Sequence, residues 1–140
     1  MITMLNPFKQ MLAAFVLLFS FTLNATASTD EPYTEARFKA LQEAGEVVLL
    51  DIHATWCTTC AKQQAALNKY IAKNPESKFH ILKIDFDKQK KVVRQFRAPR
   101  QSTFLLYKGQ EQFWFSVAES RYDVIAAELD KAIYFKPKKR

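Results

Sequence analysis

The sequence predicts an α/β fold in which a central mixed sheet of four or five strands carries helices on both faces. Three observations lead there. Helical and extended patterns alternate along the chain from residue 34 onward. The run Val47-Val48-Leu49-Leu50-Asp51-Ile52 is apolar apart from one acid, as a strand covered on both faces must be. Finally, Thr103–Tyr107 and Phe113–Val117 flank the turn Lys108-Gly109-Gln110-Glu111, the arrangement of an antiparallel hairpin.

Residues 28–33 are polar, include Pro32 and are given no element. Thr34 has the hydroxyl of a helix N-cap, and a helix from there to about Ala44 puts Phe38 and Leu41 on its buried face before Gly45 ends it. The strand Val47–Ile52 follows, with Asp51 an acid among apolar neighbours. From Cys57 or Thr58 to about Lys73 the residues favour helix, with Leu67, Tyr70 and Ile71 at helical spacing and Asn74-Pro75 as the stop. Phe79–Phe86 is the next strand. Asp87–Phe96 turns Val92, Val93 and Phe96 inward and Lys88, Lys90, Lys91 and Arg94 outward, a helix with a solvated charged face. After the hairpin, a helix from about Arg121 to Phe135 repeats Ile125, Leu129 and Ile133 at i, i+4 and i+8 as a core stripe. The early strands are expected to pair in parallel through right-handed crossovers, and the hairpin to supply the antiparallel edge.

With 140 residues, 49% hydrophobic and 25% charged, the chain has the composition of one globular domain with a single core. Its formal charge of +7 is spread along the sequence. The one dense basic cluster, Lys136-Pro137-Lys138-Lys139-Arg140, reads as a solvated terminus. Neither an aromatic-basic RNA motif nor a long basic helix face is present, so nucleic acid is not expected as a partner. Lys9 precedes the apolar run Met11–Leu23, and Ala25-Thr26-Ala27 then forms the small-x-small pattern of a cleavage site before Ser28. That run is shorter than the roughly 20 apolar residues of a spanning helix and is broken by Ser20 and Thr22, so a retained anchor is the weaker alternative. No cysteine follows for lipid attachment. The expected organisation is a signal peptide, residues 1–27, and a domain, residues 28–140, periplasmic or otherwise exported and with no stable membrane insertion after cleavage.

The only cysteines are Cys57 and Cys60, in Trp56-Cys57-Thr58-Thr59-Cys60, where a strand hands over to a helix. Two intervening residues mark a redox pair or half a metal site. Export supplies a compartment in which disulfides form and exchange, and no further cysteine remains to complete a metal cage, so the redox reading is favoured.

Val48-Leu49-Leu50-Asp51-Ile52-His53-Ala54-Thr55-Trp56-Cys57-Thr58-Thr59-Cys60 carries, in order, a strand, an aspartate, Ala, Trp and Cys-x-x-Cys. Lys83-Ile84-Asp85-Phe86-Asp87 adds a strand with a lysine, and Ser102-Thr103-Phe104-Leu105-Leu106-Tyr107-Lys108-Gly109 a strand opened by a Ser-Thr pair. On these residues the chain resembles the thioredoxin family over essentially all of residues 28–140. The resemblance implies a thioredoxin-like fold and a thiol:disulfide oxidoreductase that needs no cofactor and no metal. It implies Cys57 as nucleophile, Cys60 as resolving thiol, Trp56 as the active-site wall, Asp51 as a buried acid/base and Lys83 as its neighbour. Trp56, Gln101, Ser102 and Thr103 are the implied substrate-binding residues.

Physical arguments stand beside these roles. A thiol at a helix N-terminus meets unpaired N–H groups and the macrodipole, which lower its pKa from about 8.5 into a range of roughly 3.5–7.5. Cys60, one turn on, is close enough to close a disulfide. Asp51 lies six residues before Cys57, so its carboxyl would sit beneath the sulfurs, where desolvation raises its pKa toward neutrality and suits it to move the Cys60 proton.

Ser102 stands where the family has its cis-proline, and Pro99 falls three residues earlier. A cis bond before a residue other than proline costs about 2.5–4 kcal/mol, so the Gln101–Ser102 bond is expected trans. The Ser102 hydroxyl could reach the Cys57 sulfur or bond adjacent backbone. Thr58-Thr59 offers no imidazolium to acidify Cys57, a composition that leans toward reductase-like behaviour. His53 and His80 read as packed or surface histidines, not ligands.

The expected partners are disulfides or thiols of other exported proteins and a membrane-embedded redox protein that recharges the pair. The alternatives are metal or iron–sulfur binding through Cys57 and Cys60, and a module that binds clients without turnover.

Overall fold

The computed structural model describes residues 30–136, so the expected signal peptide and most of the basic tail lie outside the described residues. The elements are β1 (Asp30–Pro32), α1 (Glu35–Glu43), β2 (Val47–His53), α2 (Thr58–Lys73), β3 (His80–Asp85), α3 (Lys90–Gln95), β4 (Thr103–Lys108), β5 (Glu111–Val117) and α4 (Tyr122–Ile133). The strands form one five-stranded sheet in the order β1-β3-β2-β4-β5. β1, β3 and β2 run parallel, while β4 pairs antiparallel with β2 and with β5.

Alternation along β2 divides the core in two. Val48, Leu50 and Ile52 pack with Phe38 and Leu41 of α1 and Val93 of α3. Val47 and Leu49 pack with Ala66, Leu67 and Tyr70 of α2 and Ile125 and Leu129 of α4. Asp51 falls in the second register, and so does Lys83, two residues beyond Ile81 in β3. Both polar side chains therefore rise beneath α2.

The helix termini follow the sequence chemistry. The Thr34 hydroxyl accepts the Arg37 N–H at 3.2 Å, and Gly45 takes the left-handed φ of +72° that ends α1. Cys57 caps α2, and Asn74 closes it by donating its backbone N–H to Tyr70 and Ile71.

Four details differ from the sequence reading. Asp30–Pro32, given no element, is an edge strand on β3; its polar composition hides it, and proline is tolerated at an edge. α3 begins three residues later than expected, because the Asp85 carboxylate accepts the N–H groups of Asp87 (2.9 Å) and Lys88 (3.0 Å) and holds those residues in a turn. β5 begins at Glu111, which pairs directly with Lys108, so the hairpin turn is only Gly109-Gln110, with Gly109 at φ +55°. In α4 the innermost position near the end is Ala132, fully buried, while Ile133 is partly exposed.

Candidate active site

β2 ends at His53, and residues 54–56 turn the chain so that the Cys57 N–H reaches the Ala54 carbonyl at 3.2 Å. Cys57 is then the N-cap of α2, with extended φ of −89° and ψ of 109°, and its Sγ accepts the Cys60 N–H at 3.1 Å. That contact is how a helix N-terminus favours thiolate: an unpaired N–H and the positive end of the dipole meet the sulfur. Cys57 and Cys60 form a disulfide with Cα atoms 5.3 Å apart. Ala54 and Phe86 pack around the pair.

Trp56, the residue before the disulfide, is 61% exposed, and its indole N–H donates to Asp87 Oδ2 at 2.8 Å. The ring is thus held as an apolar surface next to the sulfurs.

Beneath α2, Asp51 is 4% exposed and its Oδ1 has no hydrogen-bond partner. Burial pushes its carboxyl up to about 6; the Lys83 ammonium opposes the rise and the Asp30 carboxylate adds to it. Lys83 Nζ lies 3.8 Å from Asp51 Oδ2 and 3.1 Å from Asp30 Oδ2, and it donates to Gln64 Oε1. Gln64 is one turn after Cys60 on the same helix face, so the acid, the lysine and the second cysteine belong to one locality. His53 is partly buried, and its pKa is lowered by that burial and by Lys83. Among the described residues, no group of three or more His, Cys, Asp and Glu side chains is arranged to hold a metal ion.

Ser102 faces the disulfide from the start of β4. It is fully buried, its Oγ lies 3.1 Å from Cys57 Sγ and 3.4 Å from Cys60 Sγ, and its backbone adopts φ +62°, a left-handed conformation unusual for a residue with a side chain. The Gln101–Ser102 bond is trans, as the described residues contain no cis peptide. The Ser102 carbonyl accepts the Ala118 N–H at 2.8 Å and Gln63 Nε2 at 3.1 Å. Thr103 is also fully buried, its hydroxyl donating to the Arg100 carbonyl at 2.7 Å, so its side chain does not reach the surface. Of the residues expected to meet substrate, Trp56 is exposed and Gln101 partly exposed.

The structure therefore brings Cys57, Cys60, Trp56 and Ser102 together at the head of α2 and sets Asp51 with Lys83 below it. Sequence reasoning did not single out Gln63. It is 1% exposed and ties α2 to Ser102 and, at 2.9 Å, to the Glu119 carbonyl. The signal was present: Cys60, Gln63, Leu67 and Tyr70 share the inward face of α2, and a glutamine there must find partners.

Comparisons with known proteins agree with this arrangement. The family model described as thioredoxin matches residues 29–131. A thioredoxin H-type of rice is 34% identical over 74 residues, covering 53% of this chain and 59% of that protein. The chain likewise spans 55% and 64% of the length of two further curated relatives, from Drosophila melanogaster and rice. Thioredoxin of Staphylococcus aureus is 31% identical over 98 residues, 70% of this chain and 92% of that one. Among solved structures, Trxlp from Edwardsiella tarda superposes with a TM-score of 0.67 at 33% identity, covering 72% of this chain and 98% of that one. Oxidised thioredoxin from Plasmodium falciparum, 17% identical with a TM-score of 0.60 over 76% of this chain and 99% of that one, shares the fold. Matched from residue 29 to residue 131 by the family model, and over nearly the whole of a solved relative at one third identity, this chain belongs to the thioredoxin family.

Proposed function

We propose that the chain is an exported thiol:disulfide oxidoreductase acting on disulfides of other exported proteins. The Cys57 thiolate attacks one client sulfur, forming a mixed disulfide and releasing the other client sulfur as a thiolate. Cys60, whose proton passes toward the Asp51 carboxylate, then attacks Cys57 Sγ, closing the Cys57–Cys60 disulfide and releasing the second client thiolate. The observation that carries the reading is a disulfide at a helix N-terminus above a buried carboxyl poised at about 6. Exposed Trp56 and the backbone around Gln101 form the client-facing surface, and Ser102 occupies the position of the family's cis-proline. Residues 1–27 act as the export signal, supported by the apolar run Met11–Leu23 and Ala25-Thr26-Ala27. Once oxidised, the pair is returned to its dithiol by a membrane-embedded redox partner.

One preparation tests both halves of the proposal. The full chain is produced with its N-terminal segment, recovered from the exported fraction, its first residue identified by mass spectrometry, and its reduction of insulin disulfides followed with a dithiol as electron source. We expect Ser28 at the N-terminus and activity lost in Cys57→Ser. Undiminished activity in Cys57→Ser ends the catalytic reading, absence of the chain from the exported fraction ends the export reading, and a retained Met1 ends the cleavage before Ser28.

A further inference from the structure

We propose that the Ser102 hydroxyl is a catalytic hydrogen-bond donor to the reduced site, holding the Cys57 thiolate through O–H···S⁻ while its oxygen accepts the S–H of Cys60. The inference deepens the thiol–disulfide exchange reading and rests on it for its effect on turnover. No bond is made or broken at Ser102; its proton stays on the oxygen.

The geometry selects this role. The hydroxyl is the one polar side-chain group within hydrogen-bond reach of both sulfurs among the described residues, at 3.1 Å from Cys57 and 3.4 Å from Cys60. A serine hydroxyl carries one proton and two lone pairs, so it can donate to one sulfur while accepting from the other. The charged sulfur accepts the O–H hydrogen bond, because a hydrogen bond to an ionised acceptor is roughly twice as strong as a neutral one. Cys57 is the sulfur that ionises, since it already receives the Cys60 N–H at the head of α2.

The residue is also fixed in place. It is fully buried, and its carbonyl is held by the Ala118 N–H and Gln63 Nε2. Its φ of +62° is strained for serine and would suit glycine better. Those two carbonyl contacts hold the strained backbone in the one orientation that points the hydroxyl at both sulfurs. Of the other ionisable groups nearby, Asp51 is buried in β2 with Lys83 3.8 Å away, and Asp87 is engaged by the Trp56 indole N–H.

The test compares the wild-type chain with Ser102→Ala and Ser102→Gly. The glycine variant removes the hydroxyl without strain, so it reports even if the alanine variant folds poorly. Thiolate absorbance of the reduced proteins is followed against pH, and reduction potentials are measured against glutathione. In both variants the Cys57 pKa should rise by about one unit, a tenfold loss of thiolate below both values. The potential should fall by about 30 mV, the same tenfold factor for a two-electron couple, at pH values where Cys57 is ionised. That difference should vanish at pH values where both proteins keep Cys57 protonated, a dependence that a purely structural role would not produce. An unchanged Cys57 pKa in both variants overturns the proposal. A wild-type chain that does not reduce insulin would instead overturn the exchange reading, while the thiolate titration would still decide the role of Ser102.

Discussion

Asp51 is a carboxyl kept in the core with one oxygen unpartnered and an ammonium 3.8 Å from the other. It titrates near 3.8 when exposed and at about 6 in the fold, so between those values the folded chain holds a proton that the unfolded chain has lost. Stability therefore falls as pH rises through that window. Above about pH 6 the penalty is fully present, and two pH units of displacement correspond to about 3 kcal/mol. Asp51→Asn removes the titration, so urea unfolding at pH 8 should show the variant more stable by about 2–3 kcal/mol, with the two proteins converging below the unfolded pKa. A wild-type protein as stable as the variant at pH 8 would contradict the burial argument. The same residue shows what a sequence can disclose. An acid flanked by apolar residues in a strand is expected to be buried, and Asp51 is 4% exposed. Ser102 was legible as a position but not as a geometry, because the left-handed turn that aims its hydroxyl depends on the distant contacts of Gln63 and Ala118.

At the scale of elements, β1 is three residues long, yet it sets the charge beside the site. Its Asp30 takes Lys83 at 3.1 Å and so draws the ammonium away from Asp51. The two carboxylates compete for one cation, with Gln64 of α2 as the third partner of that lysine. A cleft of about 340 Å³, lined by Asp30, His53, Lys83 and Asp85 among others, opens beside this cluster and gives the lysine a path to water. Neutralising Asp30 removes a nearby negative charge and leaves Asp51 as the one carboxylate beside Lys83, and both effects favour the Asp51 carboxylate. Asp30→Asn should therefore lower the Asp51 pKa below about 6, while Lys83→Met should raise it. The pH dependence of unfolding free energy reads both shifts, and movement of the two variants in the same direction would refute the competition. β1 escaped the sequence because two acids followed by a proline carry no strand periodicity; only pairing with β3 makes them a strand. α2, by contrast, was legible from end to end, since its apolar spacing, its Asn74-Pro75 stop and its first-turn cysteines all agree.

For the molecule as a whole, the sheet is the shared wall of two cores, and adjacent residues of β2 belong to different ones. Leu49 enters the core beneath α2 and α4, and Leu50 the core beneath α1 and α3; both are fully buried. This architecture was readable because a covered parallel strand has to be apolar at successive positions, whereas the strand order and the edge position of β1 follow from long-range pairing that no local pattern encodes. A wall common to both cores couples them, because loosening either layer withdraws support from the strands of the other. Leu49→Ala and Leu50→Ala should each cost about 2–5 kcal/mol, the range for emptying a buried leucine site, although they empty opposite faces. In each variant, tryptophan fluorescence and far-ultraviolet circular dichroism should give coincident urea transitions, the mark of one cooperative unit. Separated transitions in either variant would mean that one layer can melt while the other persists. The disulfide at the head of α2 would then rest on the α2–α4 layer alone, and only Leu49→Ala would be expected to impair it.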